Sequence, residues 1–193
     1  PPPACDMKLK TLIGKSFFKV TGWKTDAGQD LLEDKQVIIG FPHTSNMDAV
    51  RSLAFFASIG VQVHTLIKKE YFDGPLAPVL KKLGAIPVDR SKGSNMAKNL
   101  AREFQARDQF TLVLAPEGTR GKDGVKPAIK TGFWQIAKAA NVPIVLMLAD
   151  NPRKHGRLIG KLWPSDLPSD LEQIAQIYAE YGVALKLPEA NKD

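Results

Sequence analysis

Two rhythms alternate along this chain. Short, nearly unbroken apolar runs such as Val37-Ile-Ile-Gly-Phe41 and Phe110-Thr-Leu-Val-Leu-Ala115 are separated by longer segments in which apolar residues return every three or four positions. The first rhythm predicts strands buried on both faces, and the second predicts helices with one apolar side. Strands are expected near 36–41, 62–67, 85–88, 110–115 and 143–149, and helices near 8–20, 47–59, 75–83, 93–106 and 129–141. Leu158 to Trp163 reads as an edge strand. Leu167 to Tyr181 reads as a closing helix, capped by Ser169 and carrying Ile174, Ile177, Tyr178 and Tyr181 on one face. Gly121-Lys-Asp-Gly124 has the composition of a turn. Strands alternating with helices of this length predict an α/β fold: one open, largely parallel sheet flanked by helices, preceded by an N-terminal amphipathic helix.

That first helix has a pattern of its own. Leu9, Leu12, Ile13, Phe17 and Val20 fall on one helical face, Lys15 and Lys19 flank it, and Phe18 and Trp23 add aromatic bulk. A basic amphipathic helix of this kind can lie in a bilayer interface, or it can pack its stripe on the sheet. No apolar run reaches the roughly 18 residues of a membrane-crossing helix, and lysines 8, 10, 15, 19 and 24 interrupt any signal-peptide core. Met7 followed by Lys-Leu-Lys reads as a natural start, so residues 1–6 are expected to be an appended remnant and 7–193 a single domain. With 193 residues, 44% of them hydrophobic, the length suits a single domain with a sizeable core.

Charge and rare residues narrow the chemistry. The net charge of +7 favours an anionic partner, but aromatic residues at 8% and the lack of any nucleic-acid motif argue against DNA or RNA. Cys5 stands alone, so no disulfide framework is possible and the residue is expected to be incidental. His43, His64 and His155 are scattered without metal-ligand spacing, and His64 is expected simply to occupy a strand position. Neither a Walker loop, nor G-x-G-x-x-G, nor a G-x-S-x-G elbow is present.

The chemistry-bearing residues gather at the ends of apolar runs. His43-Thr-Ser-Asn-Met-Asp48 follows the run that ends at Phe41 and places an imidazole five residues before a carboxylate. If a helix opens near Ser45, the two side chains can meet; the carboxylate then fixes the tautomer while the other ring nitrogen takes a proton from a hydroxyl. The spacing alone fits a capped helix start with a satisfied histidine equally well. Glu117-Gly-Thr-Arg120 follows the run ending at Ala115, and Gly84-Ala-Ile-Pro-Val-Asp-Arg90 delivers an arginine after a short extended run. In an open α/β sheet such strand ends converge on one crevice.

These blocks together resemble the glycerolipid acyltransferases of the 1-acylglycerol-3-phosphate acyltransferase (lysophospholipid acyltransferase) type. His43 to Asp48, Gly84 to Arg90, Pro116-Glu-Gly-Thr-Arg120 and Val142-Pro-Ile144 stand in the family's order, and with Lys68 to Pro75 and Lys130 to Phe133 the likeness spans about residues 37–149. The resemblance implies His43 as general base and Asp48 as its partner. It also implies Arg90, Glu117, Gly118, Thr119 and Arg120 as the acceptor-binding set, and Pro143 near the acyl-donor side. Pro42, Gly121 and Val145 depart from residues common in the family at those places.

The implied fold is glycerol-3-phosphate acyltransferase-like. The implied activity is transfer of a fatty acyl group from acyl-CoA or acyl-ACP to a hydroxyl of a lysophospholipid, without a covalent intermediate, bound cofactor or metal. A thioester is already activated, so a base suffices. An acceptor phosphate would call for arginine forks, and Glu117, which would repel it, is expected to hold Arg120 or a helix N-terminus. The same blocks leave open a non-phosphate lipid acceptor, or a non-catalytic protein that binds lipid phosphates. The implied partners are the lipid acceptor, acyl-CoA or acyl carrier protein, and a membrane surface. The expected location is the cytoplasm, peripheral to the inner face of a membrane.

Overall fold

The structure, a computed structural model, describes residues 4–41, 46–88, 96–116 and 128–188. The strands are β1 (Lys24–Asp26), β2 (Lys35–Phe41), β3 (Val63–Lys68), β4 (Ala85–Val88), β5 (Phe110–Leu114), β6 (Ile144–Asp150) and β7 (His155–Leu162). The helices are α1 (Ala4–Thr21), α2 (Asn46–Ser58), α3 (Ala77–Lys82), α4 (Met96–Ala106), α5 (Gly132–Ala140) and α6 (Leu167–Glu180). All seven strands form one sheet in the order β1-β7-β6-β2-β5-β3-β4. Strands β2 to β6 run parallel, and β7 returns antiparallel to β6 through a tight turn.

The continuous apolar runs are explained by two cores, one on each face of the sheet. Val37, Ile39 and Phe41 of β2 join Leu112, Phe104, Phe133 and Tyr178 on one face, under α4, α5 and α6. Ile38 joins Phe18, Phe55, Phe56 and Met147 on the other, under α1 and α2. A strand alternates sides every residue, so a central strand covered on both faces must be apolar throughout. The β2-α2-β3 and β3-α3-β4 connections step across the sheet in the same direction. A common right-handed crossover therefore puts α3 on the α2 side.

Between α3 and β4, Gly84 adopts φ +84, and a Cβ there would collide with the Val63 carbonyl, so only glycine makes this turn. Tyr178, fully buried, brings its hydroxyl to the carbonyls of Met147 at 2.9 Å and Ile39 at 3.1 Å and so ties α6 to the two central strands. Burial, offset in part by that bond to Met147, pushes its phenol well above its usual pKa.

Three expectations need correction. The run from Leu158 to Trp163 belongs to β7, which starts earlier and is not an edge, because β1 pairs on its far side. The cap of α6 is Asp166, whose carboxylate accepts from the Ser169 amide at 3.2 Å, rather than Ser169 itself. The helix expected from residue 129 begins at Gly132, because the Ile129 amide donates to Lys186 O and the Lys130 amide to Pro116 O, both at 2.9 Å. The edges of the sheet are β1, three exposed residues, and β4, which contains Pro87.

Candidate active site

Because β2 to β6 are parallel, the chain leaves β2 at Phe41, β4 at Val88 and β5 at Leu114 along one edge of the sheet. The sheet order reverses direction around β2, the usual place for a ligand crevice in such folds. Asp48 sits in the first turn of α2 at this edge and is only 4% exposed.

A buried carboxylate needs partners, and the structure supplies a firm one. Arg51, one turn further along α2, donates from Nη1 to Asp48 Oδ1 at 2.9 Å. The same nitrogen lies 3.0 Å from Asn151 Oδ1, in the turn between β6 and β7. Its guanidinium carbon lies 4.7 Å from the centroid of the Trp23 ring. Asp48 is thus fixed from two distant parts of the chain, and Arg51 is braced on an aromatic face.

Beside this carboxylate is a cavity of about 140 Å³. Gly40, Phe41, Phe56, Val63 and Met147 are among the residues that make it mainly apolar, with Asp48 as its charged group. Among the described residues, a Cβ built on Gly40 would meet nothing within 4 Å. Chemically, the arrangement offers an oily recess with one fixed negative charge at its side, suited to a substrate whose tail is apolar and whose reacting end is polar.

Of the residues singled out from the sequence, Asp48 and Pro143 are described. His43, Arg90, Glu117, Gly118, Thr119 and Arg120 lie outside the described residues, as does the expected turn at Gly121 to Gly124. Pro143 lies just before β6, and its carbonyl accepts from the Val37 amide at 3.0 Å. It is therefore at the N-terminal end of a strand whose length is about 20 Å at the usual rise, so the structure does not bring it to Asp48. Arg51, Asn151 and the stacking role of Trp23 were not anticipated. Arg51 stands three positions after Asp48 on a helix, a spacing that brings side chains together and could have been noticed.

The other histidines have structural surroundings. His64 lies in β3, buried, with its ring 4.5 Å from that of Phe110 and Nε2 3.0 Å from Arg107 Nη1. Burial and then the Arg107 charge hold its pKa below the usual histidine value. His155 Nδ1 lies 2.8 Å from Arg157 Nη2, and burial followed by that arginine likewise lowers its pKa. Among the described residues no group of three or more His, Cys, Asp or Glu side chains is placed to hold a metal ion.

A mostly parallel sheet whose central strand is followed in the sequence by an HxxxxD block defines an α/β protein with its candidate chemistry at the strand ends, and the sequence comparisons name the family. The Acyltransferase family profile matches residues 24–148, and the chain belongs to that family. It is 30% identical over 148 residues to a probable 1-acyl-sn-glycerol-3-phosphate acyltransferase of Mycoplasma pneumoniae, covering 75% of this chain and 56% of that protein. To the 1-acyl-sn-glycerol-3-phosphate acyltransferase of Limnanthes douglasii it is 32% identical over 119 residues, covering 59% of this chain and 41% of the other. The chain thus spans about half the length of the curated relatives it matches. Its fold is similar to the crystal structure of the 1-acyl-sn-glycerophosphate acyltransferase PlsC from Thermotoga maritima, with a TM-score of 0.62 at 16% identity over 93% of this chain and 81% of that one.

Proposed function

We propose that this protein transfers a fatty acyl group from acyl-CoA or acyl-ACP to a hydroxyl of a lysophospholipid such as 1-acylglycerol-3-phosphate. One observation carries the proposal: Asp48, buried and fixed by Arg51, lies beside an apolar cavity at the strand edge from which the chain runs into His43. His43 takes the proton of the acceptor hydroxyl as its oxygen attacks the thioester carbonyl carbon. The carbon–sulfur bond then breaks, and the thiolate leaves and recovers a proton. Asp48 orients the imidazole and favours its charged form, and no protein nucleophile is needed.

Arg90, Glu117, Gly118, Thr119 and Arg120 form the acceptor side of this proposal. β5 neighbours β2 in the sheet, whereas β4 lies three strands away, about 14 Å at the usual spacing. That favours the block after β5 over Arg90 for contact close to the base. Pro143 then acts through the pairing of β2 with β6 rather than by touching the donor.

The protein works on the inner face of a membrane as a peripheral enzyme. Leu9, Leu12, Ile13 and Val20 of α1 face outward, while Gly14 and Phe18 on the opposite side are buried. A Cβ on Gly14 would lie 2.6 Å from the Ser58 amide nitrogen and 2.7 Å from the Ala54 carbonyl oxygen, so α1 approaches α2 through its glycine and leaves its apolar stripe outside. No helix among the described residues is long and apolar enough to cross a membrane.

The test is thiol release from acyl-CoA and acyl-ACP with a panel of lysolipids, with and without phosphate, for the wild-type chain, His43→Ala and Asp48→Asn. Loss of a general base should lower turnover about 10²–10⁴-fold with the fold retained. Near-normal turnover by His43→Ala would refute the mechanism. No release with any acceptor would mark the wild-type chain as a lipid-phosphate-binding protein.

A further inference from the structure

The helix α3 is six residues long, and none of its residues is buried. Short helices in proteins are held mainly by what their inner face packs against, and here that face offers only partly covered residues such as Ala77 and Leu80. The outward face is the apolar one. Leu76, Val79 and Leu83, spaced by three and four along the helical turn, are 62%, 54% and 53% exposed. Tyr71 is also exposed just upstream. Four exposed lysines, 68, 69, 81 and 82, bracket this ridge, against the two acids Glu70 and Asp73. An exposed apolar ridge whose rim carries an excess of positive charge marks an interaction surface for an apolar, anionic partner.

Its position in the fold selects the partner. The right-handed crossover from β3 to β4 puts the ridge on the side of the sheet that α1 and α2 cover, and Met47 and Val50 of α2 are exposed as well. The cavity beside Asp48 is in this layer too, lined by Leu53 and Phe56 of α2 and Thr65 of β3. Helices α1 and α3 and the cavity therefore belong to one side of the sheet.

We propose that Leu76, Val79 and Leu83, with Lys81 and Lys82, form a second membrane contact, separate from α1, that seats the protein on an anionic bilayer. The inference rests on the proposed peripheral attachment and adds its second point. Aliphatic side chains enter the headgroup region, lysine stems lie along it, and the ammonium groups meet lipid phosphates. Two points of contact fix the tilt of the protein, where one amphipathic helix would leave it free to roll, and tilt decides whether the cavity faces the lipid.

Flotation of the full chain with vesicles of phosphatidylcholine, alone or mixed with phosphatidylglycerol, tests this. The variant L76S/V79S/L83S should bind the mixed vesicles about tenfold more weakly or worse, with its melting temperature and its turnover of a monomeric short-chain acceptor retained. K81E/K82E alters no packing and should lose binding only to the phosphatidylglycerol mixture, which keeps the test valid should the serine variant fold poorly. Unchanged binding by both variants, with loss in L9S/L12S/I13S, would overturn the α3 contact and keep α1 as the sole anchor. Wild-type chain that ignores vesicles would remove the peripheral reading itself. A shift from dimer to monomer in L76S/V79S/L83S, with vesicle binding intact, would instead make α3 a contact between copies, and loss of acyl carrier protein binding alone would make it a carrier site.

Discussion

Arg51 holds Asp48: one guanidinium nitrogen lies 2.9 Å from the carboxylate and 3.0 Å from Asn151 Oδ1, with Trp23 under the guanidinium plane. The carboxylate is buried and the arginine partly exposed, so the pair is not a loose surface contact. Removing the arginine takes this partner away from the Asp48 carboxylate. Arg51→Gln is expected to lower kcat about 10–100-fold, as a misplaced catalytic pair would, with little change in KM for the acceptor. Arg51→Lys should recover part of the loss, since a point charge can pair with the carboxylate but cannot stack as a planar fork. Steady-state kinetics of the two variants check this, and equal losses in Lys and Gln would show that charge contributes nothing.

Gly40 gives a second test, because it separates stability from activity. It lies within β2, in the wall of the cavity beside Asp48, with no described residue within 4 Å of where a Cβ would go. Gly40→Val should stabilise the strand by about 0.5–1 kcal/mol through the lost freedom of glycine in the unfolded chain. The isopropyl group should also enter the cavity and reduce turnover, most for long acyl chains. Chemical denaturation and a chain-length series measure both effects; a more stable protein with unchanged chain preference would show that the cavity takes no part in acyl binding.

Asp170 predicts how the fold responds to acid. It is buried and accepts from Trp134 Nε1 at 2.7 Å, the Ser165 amide at 2.7 Å and Ser165 Oγ at 2.9 Å. Burial alone would raise its pKa; the bonds from Trp134 and Ser165 outweigh it, and the net direction is downward from 3.8. A depressed carboxylate contributes stability that is complete above the unfolded value and is lost as pH falls through the folded one. Asp170→Asn should therefore destabilise the protein by about 1–3 kcal/mol at neutral pH, with the gap to wild type closing below about pH 4. Urea titrations at several pH values will show whether the gap closes; a constant gap would mean that the asparagine loses shape rather than charge.

Arg120 offers a test of the proposed acceptor. If it holds a lysolipid phosphate, Arg120→Ala should weaken use of a phosphate-bearing acceptor by roughly 2–5 kcal/mol and that of a phosphate-free acceptor much less. An equal fall for both, with a lower melting temperature, would make Arg120 a structural partner of Glu117.

The elements most legible in the sequence were those whose side chains see the core. Val37 to Phe41 could be read as a strand because both faces of β2 are covered, so the run must be apolar at successive positions. β1 could not, since Lys24, Thr25 and Asp26 are exposed and the strand is held by backbone pairing to β7 alone. Periodicity located the stripe of α1 but could not say which way it faces; Gly14 settles that, by letting its own side of the helix close on α2. Phe17, counted with the stripe, is partly buried against the core. The spacing to His43 picked out Asp48 as a candidate, whereas the bond from its partner Arg51 to Asn151 joins residues 100 positions apart, a relation no local pattern encodes.

The two sheet edges acquire a meaning beyond topology. One ends in three exposed residues with a charge at either end, and the other carries Pro87, which has no backbone N–H to offer a neighbouring strand. A chain that leaves apolar stripes exposed on its helices is at risk whenever two copies meet away from lipid. Blunted strand borders mean that such meetings cannot be locked in by a shared ladder of hydrogen bonds, so stickiness on the helical side stays reversible.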